Sequence, residues 1–382
     1  MALIQLVCSM PLARAVRPRS LTIYSRNAVS VPSTSASPSR LGAKESRVLL
    51  GLSETELQQL ALDFGQQSYR GKQLHQLLYK RKVKEIQDFS HLPLAFRNEL
   101  QDAGWRVGRS PIHQSVTAAD GTIKILIKLE DNRLVETVGI PVVDDKGTVR
   151  LTACVSSQVG CPLRCAFCAT GQGGFSRNLQ KHEIVEQVLA IEELFNQRVT
   201  NVVFMGMGEP MMNLKSVVGA HQCLNKDIEI GQRMITISTV GVPNTIKKLA
   251  SHKLQSTLAV RDYFQETGRR VTFEYTLLAG VNDEAAHAVE LAELLHEYGR
   301  GYHVNLIPYN PIEGSEFRRP YRKAIAAFSA ALESRRITTS VRQTRGPDAS
   351  AACGQLRNQF QKTPLQADTE TVQSDSDVAV AC

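Results

Sequence analysis

Residues 151–168 read LTACVSSQVGCPLRCAFC and combine a strand-like run with three closely spaced cysteines. Residues 151–155 have the apolar character of a buried strand. Three cysteines follow on the adjoining loop at the spacing Cys161-x-x-x-Cys165-x-x-Cys168. Three thiolates can bind three irons of a 4Fe-4S cluster and leave the fourth iron without a protein ligand, which is what a reactive cluster needs.

Zinc is the alternative occupant of such a loop. A structural zinc site needs a fourth Cys or His nearby, and His182, at a predicted helix start, is the only candidate. The cysteine spacing directly after a strand therefore favours the cluster over zinc.

The segments after this loop alternate between strands and helices. Apolar periodicity predicts helices around residues 184–195 and 288–295. Buried strands are predicted at 202–205, 234–238, 255–260, 271–277, 303–307 and 338–342. The alternation is typical of a parallel sheet with helical crossovers, so we expect an α/β fold whose sheet is part-closed into a barrel.

The chain before and after this region has a different character. Residues 45–110 show helical periodicity, with a capping box at Ser53 and Glu56, and Lys72, Lys80, Arg81, Lys82 and Lys84 give this unit a basic, RNA-binding-like face. Within 111–148, alternating apolar residues and a turn at Asp131-Asn132 predict a β-hairpin connector. The barrel then occupies 149–360, and the acidic tail 361–382 is expected to be disordered.

Residues 1–44 have the composition of a transit peptide. They contain six Arg or Lys, no Asp or Glu, and many Ser, Ala, Val and Pro, and nothing in them is expected to pack as a core. The serine-rich part favours the chloroplast over the mitochondrion, and a cytoplasmic protein with an ordinary disordered tail is the further alternative. Without these six charges the net charge falls from +8 to about +2, so bulk charge says little about nucleic acid.

Local charge and hydropathy are more informative about partners. The densest cationic run is Arg318, Arg319, Arg322 and Lys323, which is either an RNA contact or a solvated helix entry. No apolar run approaches the roughly 20 residues of a membrane helix, so no membrane association is expected.

Two further features carry possible chemistry. Residues 205–210 read MGMGEP at the end of a predicted strand, where glycines permit close backbone approach and Glu209 can accept hydrogen bonds from an ammonium group. Cys154 and Cys353 stand alone, and a lone cysteine is more often a small buried hydrophobe than a reactive group.

The chain resembles the RlmN-type adenine-C2 methyltransferases, which act on large-subunit ribosomal RNA and on tRNA. The resemblance lies in ACVSSQVGC (153–161), GGFSRNL (173–179), MGMGEP (205–210), NLIPYNP (305–311), TRG (344–346) and AACG (351–354), and extends over residues 52–357. It implies a radical S-adenosylmethionine enzyme with a 4Fe-4S cluster on Cys161, Cys165 and Cys168.

The resemblance also implies roles for the lone cysteines. Cys353 receives a methyl group from S-adenosylmethionine, a radical formed from a second molecule activates that methyl group, and Cys154 then resolves the adduct as a disulfide. Glu136 matches the family's proposed general base, and Gly208, Glu209, Ser238 and Asn310 match its cofactor contacts. The implied partners are ribosomal RNA or tRNA, a low-potential electron donor of ferredoxin or flavodoxin type, and a thiol reductant, with the enzyme a monomer.

The sequence departs from the family at one place. A Ser-Leu-His-Ala-type segment, a loop and most of a helix are missing between Val260 and Arg261, so only ten residues separate the predicted strands 255–260 and 271–277. A parallel crossover with its helix needs at least about 10–12 residues. The gap keeps a catalytically impaired RNA-binding homologue as one alternative, and a sibling enzyme that methylates adenine C8 is the other.

Overall fold

The computed structural model of the chain describes residues 2–5, 47–143, 147–242, 245–252, 271–297 and 302–357. Its strands are β1 Ala2–Gln5, β2 Arg47–Val48, β3 Trp105–Arg106, β4 Ile112–Thr117, β5 Ile123–Lys128, β6 Leu134–Val143, β7 Val149–Cys154, β8 Gln158–Gly160, β9 Phe175–Asn178, β10 Val199–Phe204, β11 Ile235–Thr239, β12 Val271–Leu277, β13 His303–Pro308 and β14 Thr338–Val341. Its helices are α1 Glu54–Asp63, α2 Tyr69–His75, α3 Leu94–Asp102, α4 Ala169–Gly173, α5 Lys181–Phe195, α6 Leu214–Lys226, α7 Thr245–Ser251, α8 Ala285–Glu297 and α9 Arg322–Glu333.

One ten-stranded sheet organises the molecule. Its order is β14-β13-β12-β1-β11-β10-β7-β6-β5-β4. All strands from β7 to β14 in this order pair in parallel, as the alternation of strands and helices predicts. Because active sites of such α/β sheets lie at the carboxyl ends of the parallel strands, the loops after β7, β10, β11 and β13 are placed at one edge.

The predicted hairpin is confirmed, and it is part of this sheet. β5 and β6 pair antiparallel in the register Ile127↔Val135, and β6 pairs antiparallel with β7 in the register Val138↔Cys154. The hairpin therefore fixes the strand that carries Cys154, and is not merely a connector.

Among the described residues, two large apolar cores hold the layers together, and a third, small cluster consists of Phe167, Leu278 and Tyr309. The larger core includes α1 and α3 of the amino-terminal unit together with α5, α6 and the strands β7, β10 and β11. The smaller core lies between β12, β13 and the helices α8 and α9. Since the amino-terminal helices share the larger core, they are packed on the barrel without a separate interior.

β1 brings residues from the predicted transit peptide into the sheet. Ala2–Gln5 pair in parallel with β11 on one side and with β12 on the other. In the sheet this strand stands between β11 and β12, the described strands that precede and follow residues 240–270 along the chain. The predicted strand 255–260, the gap after Val260 and the tail 361–382 lie outside the described residues.

The basic face of the amino-terminal unit meets acidic side chains of the barrel. Lys80 Nζ lies 2.7 Å from Glu229, and Lys82 Nζ lies 2.7 Å from Glu192 on α5. Further along, Lys84 pairs with Glu193 and Arg109 with Glu186 and Glu193. These three lysines therefore form ion pairs that join the amino-terminal unit to the barrel.

Across the described residues, no helix has the length and apolarity to cross a membrane.

Candidate active site

At the start of the cysteine loop the backbone at Gly160 passes very close to the backbone at Gly174. Gly160 has φ +80°, and a Cβ at this position would lie 2.0 Å from the Gly174 carbonyl oxygen, so only glycine fits. The Cys161 N–H donates to the Gly174 carbonyl at 2.8 Å, and the Cys168 N–H donates to the Cys165 carbonyl at 3.1 Å. The loop is therefore folded so that Cys161, Cys165 and Cys168 line one cavity.

This first cavity gathers most of the residues predicted from the sequence. It has a volume of about 940 Å³ including its open mouth. Its walls carry the three loop cysteines together with Gly208, Glu209, Ser238, Asn310 and Cys353. These residues come from the ends of five strands, β7, β10, β11, β13 and β14, so the parallel topology brings them together.

Glu209 is held rigidly at the cavity wall. It is buried, and its two carboxylate oxygens accept the backbone N–H groups of Met211 at 2.9 Å and Val240 at 3.0 Å. Burial raises the pKa of this carboxyl, against the hydrogen bonds that lower it. The neighbouring Gly208 has φ +99°, and a Cβ there would lie 2.5 Å from Gln158 Cβ, so the turn that aims Glu209 requires glycine.

The loop that carries Cys353 is fixed from three sides. Asn310 Nδ2 donates to the Cys353 carbonyl at 3.0 Å, the Ala169 N–H donates to the Gly354 carbonyl at 2.7 Å, and Lys124 Nζ donates to the Ser350 carbonyl at 3.2 Å. The anchors come from the β13 loop, the helix after the cysteine loop and the hairpin. Cys353 is thereby placed at the cysteine loop although 185 residues separate it from Cys168 in sequence.

A second cavity adjoins the first. It has a volume of about 1240 Å³ including its mouth and is lined by Cys154, which the first cavity does not contact. The residues common to both cavities are Met205, Ile307, Asn310, Arg342, Cys353 and Leu356. Cys353 thus stands at the junction, with the cluster cysteines on one side and Cys154 on the other.

Arg342 and Glu274 are site residues that sequence reasoning missed. Arg342 Nη1 lies 3.5 Å from Glu274 Oε2 and 3.0 Å from the Met205 sulfur. Glu274 Oε1 accepts a hydrogen bond from Asn305 Nδ2 at 2.7 Å. A glutamate inside the predicted apolar strand 271–277 was the signal available in the sequence, because a buried carboxylate needs a partner.

Cys154 and Cys353 lie in a low-dielectric environment. Burial, together with the neighbouring Cys353, raises the pKa of Cys154 to about 12, against the Arg342 guanidinium, which lowers it. Burial also raises the pKa of Cys353, while the Arg342 guanidinium lowers it. Arg342 is therefore the cation that favours thiolate formation at both cysteines.

Glu136 lies beside the cavities and not in their walls. Its Oε1 is 3.2 Å from Lys124 Nζ, and burial raises the pKa of this carboxyl. Its Oε2 is buried without a hydrogen-bond partner among the described residues. Since β6 alternates and Ile140 and Val142 line the second cavity, Glu136 faces the same side of the sheet.

The remaining cysteine and histidine candidates lie elsewhere. His182 lines neither cavity, and burial lowers its pKa to about 4. Cys223 is a buried residue of α6. Among the described residues, no three His, Cys, Asp or Glu side chains converge on a point suited to one metal ion.

The donor set of the first cavity fits a 4Fe-4S cluster. In such a cluster each thiolate binds its own iron, and the three thiols reach one cavity whose described lining residues include no histidine. The adjoining wall offers a buried carboxylate and backbone turns to a ligand of the open iron. A parallel α/β sheet with this loop after β7, the parallel strand next to the hairpin, defines the class of radical S-adenosylmethionine enzymes.

Comparison with known proteins agrees with this class. The sequence profile of the Radical SAM superfamily matches residues 155–260. A probable dual-specificity RNA methyltransferase RlmN of Acaryochloris marina is 49% identical over 338 residues, covering 81% of this chain and 94% of the relative. The corresponding protein of Gloeobacter violaceus is 51% identical over 340 residues, with 81% and 94% covered.

A solved structure is similar as well. The crystal structure of a radical SAM methyltransferase from Sphaerobacter thermophilus has a TM-score of 0.75 at 37% identity, covering 81% of this chain and 99% of that one. The chain belongs to the RlmN family of radical SAM RNA methyltransferases. Membership implies a 4Fe-4S cluster and S-adenosylmethionine as cofactors.

Proposed function

We propose that this chain methylates C2 of adenosine in large-subunit ribosomal RNA, in tRNA or in both, with Cys353 as the methyl carrier. The observation that carries the proposal is the position of Cys353 at the junction of the two cavities. A methyl carrier must meet the cofactor on one side and the RNA base on the other. The names of the relatives support RNA as the substrate.

Seven residues of the first cavity then bind the cofactors. Cys161, Cys165 and Cys168 hold the cluster, and Gly208, Glu209, Ser238 and Asn310 hold S-adenosylmethionine, with Glu209 on its ammonium group. When bound, this pair supplies a methyl group and a radical that removes a hydrogen atom. Ser238 suits the role because its hydroxyl oxygen is buried without a hydrogen-bond partner among the described residues.

The protein's own residues carry the transfer. Cys353 accepts the methyl group as a thiolate, which its Arg342 neighbour favours. After carbon–carbon bond formation, Glu136 takes the proton from adenine C2. The unpaired electron of the adduct would pass to the redox group bound in the first cavity. The Cys154 thiolate attacks the Cys353 sulfur, so that a disulfide forms and the carbon–sulfur bond breaks with its electron pair on the product carbon. That carbon takes up a proton and becomes the methyl group. A thiol reductant must then restore both thiols.

The test is an anaerobic reaction of the reconstituted chain with RNA and S-adenosylmethionine. We expect 2-methyladenosine in the digested RNA by mass spectrometry. 8-Methyladenosine would assign the sibling activity instead, and absence of any cofactor cleavage would assign an impaired RNA-binding homologue.

The gap after Val260 bears on that last outcome. The alignment with the Acaryochloris relative is 338 residues long, but it covers only 81% of this 382-residue chain, which is fewer than 338 residues. The relative therefore has residues with no counterpart here. We therefore propose that the chain is a shortened member of the family.

The amino-terminal region suggests where the enzyme works. We propose that residues 1–44 direct the chain to the plastid, because they carry six cations and no carboxylate and the relatives named above are cyanobacterial. A fluorescent reporter fused to residues 1–60 should enter plastids. Fluorescence in mitochondria or in the cytosol would reject this.

A further inference from the structure

The second cavity differs from the first in charge. Among the described residues that line it there is no Asp or Glu, whereas Glu209 and Glu274 line the first cavity. Its charged side chains are the arginines Arg150, Arg342 and Arg345. A cavity with this balance suits an anionic ligand, while the first suits a ligand that carries an ammonium group.

The wall of the second cavity follows the inner faces of neighbouring strands. Arg150, Thr152 and Cys154 alternate along β7 and all line it, and Asn201, Val203 and Met205 do the same along the end of β10 and the residue after it. From Arg150 to Cys154 the wall extends roughly 13 Å at about 3.3 Å per residue. Arg150 therefore lies at one end of this wall and Cys154 at the other.

The three arginines are not equally available. Arg342 is engaged by Glu274 and the Met205 sulfur. Arg345 contacts the Gln343 side chain at 3.2 Å, and the nearby Asp120 carboxylate accepts the N–H groups of Gly346 and Thr122. Arg150 is exposed, and among the described residues it has no ion-pair partner. Arg150 is thus open to a ligand, and Arg345, half-buried near Asp120, is available without a close ion pair among the described residues.

We infer that the target nucleotide enters through the second cavity, with Arg150 and Arg345 binding its backbone phosphates and its base reaching Cys353 and Cys154. The inference rests on the proposed function and assigns the RNA side of the same site. It explains why Cys154 lines only this cavity: the resolving thiol must reach the adduct on the side where the base is bound. An unpaired adenosine turned out of its stack is the ligand that such a deep pocket accepts.

The experiment compares the holoenzyme with Arg150→Gln, Arg345→Gln and the double variant. Lys215→Gln is the matched control, since Lys215 is an exposed cation on α6 that lines neither cavity. The probe is an RNA stem-loop with one unpaired adenosine, and its dissociation constant is measured by fluorescence anisotropy from low to moderate salt. Methylation of Cys353 without RNA is followed by mass spectrometry.

We expect the double variant to bind RNA about tenfold or more weakly, with a log–log salt slope lower by about two, one for each phosphate contact. Methylation of Cys353 and the melting temperature should match those of the unaltered chain, because the arginines lie on the RNA side. The Lys215 variant should keep the original slope.

Three outcomes would overturn the inference. RNA affinity and slope unchanged in the double variant would show that the phosphates are bound elsewhere. Loss of Cys353 methylation would place the arginines on the cofactor side, and slower reduction of the cluster by a flavodoxin with normal RNA binding would make this mouth the electron-donor surface. If the unaltered chain itself binds no RNA, the proposed function fails first.

Discussion

The positive charge of Arg342 lowers the pKa of both Cys353 and Cys154. Substitutions that remove or keep this charge can test its effect. The guanidinium lowers the pKa of Cys353, and its removal should raise that pKa and reduce the thiolate fraction at a given pH. We expect Arg342→Gln to move the pH profile of Cys353 alkylation upward, with on the order of a tenfold rate loss for each pKa unit at neutral pH.

The control for this prediction is Arg342→Lys, which keeps a positive charge. It should retain most of the thiolate fraction. The profile is read by mass spectrometry of the Cys353 peptide after short exposure to iodoacetamide. Identical profiles for the Gln variant and the unaltered chain would show that the guanidinium does not tune this thiol.

Substitution of Cys154 and substitution of Cys353 should block the reaction at different steps. Cys154→Ala removes the thiolate that attacks Cys353, so RNA should stay covalently bound to Cys353. Cys353→Ala removes the methyl carrier, so neither adduct nor methylated RNA should form. Denaturing gel electrophoresis of labelled RNA distinguishes these cases, and normal turnover by the Cys154 variant would reject the two-cysteine mechanism.

The cluster loop gives a prediction that needs no RNA. After anaerobic reconstitution the chain should be brown and hold about four irons. Cys165→Ala should abolish iron loading, because one thiolate of the three is lost. Cys223→Ala is the control, since that buried thiol lies on α6 away from both cavities. Retained iron in the Cys165 variant, or zinc in its place, would contradict the assignment.

At the scale of elements, two lysines of the amino-terminal unit should differ in their contribution to stability. The Lys82 partner Glu192 is buried, whereas Lys84 and its partner Glu193 are both largely exposed. Lys82→Met leaves a buried carboxylate without its cation and should cost about 1–3 kcal/mol of unfolding free energy. Lys84→Met should cost less than about 1 kcal/mol.

Urea denaturation measures both values, and RNA binding gives a second comparison. Neither variant should weaken RNA affinity much, because these cations are already neutralised by the barrel. Equal stability of the two variants would show that burial of Glu192 does not decide the cost. A large loss of RNA affinity would return this face to the RNA surface that the sequence predicts.

The elements also show which features a single sequence can predict. The parallel strands, α5 and the hairpin follow from apolar periodicity, because that pattern is local and each face is buried on one side. The pairing of Lys82 with Glu192 joins residues 110 positions apart, and that of Arg342 with Glu274 joins residues 68 apart. Periodicity carries no information on such contacts. The ion pairs that neutralise the basic face, and the place of Arg342 and Glu274 in the site, could therefore be seen only in the structure.

For the site itself, the family motifs identified the candidate residues, but they did not show which of the two cavities each residue lines. Nothing in the spacing of Cys154, Cys161 and Cys353 states that one thiol lines the second cavity, one the first and one both. That division depends on the alternation of β7 and on the anchors of the Cys353 loop, which come from three separate elements.

In the molecule as a whole, the amino terminus pairs between β11 and β12, and the shortened connection falls between these two strands along the chain. The sequence predicted that residues 1–44 would contribute nothing to packing, but Ala2–Gln5 pair with both β11 and β12. Removal of residues 1–44 would leave backbone groups of those two strands unpaired, at about 1–3 kcal/mol for each buried group.

This leads to a test with four proteins: the chain with and without residues 1–44, each with and without a family-like segment of about 30 residues inserted after Val260. Truncation should lower the melting temperature and the affinity for S-adenosylmethionine in the chain as it stands. With the segment inserted, the restored strand should pair with β11 and β12, so truncation should then have little effect. Equal melting temperatures for all four proteins would show that neither segment completes the sheet, and loss of stability on truncation in both backgrounds would show that β1 is needed whether or not the crossover is complete.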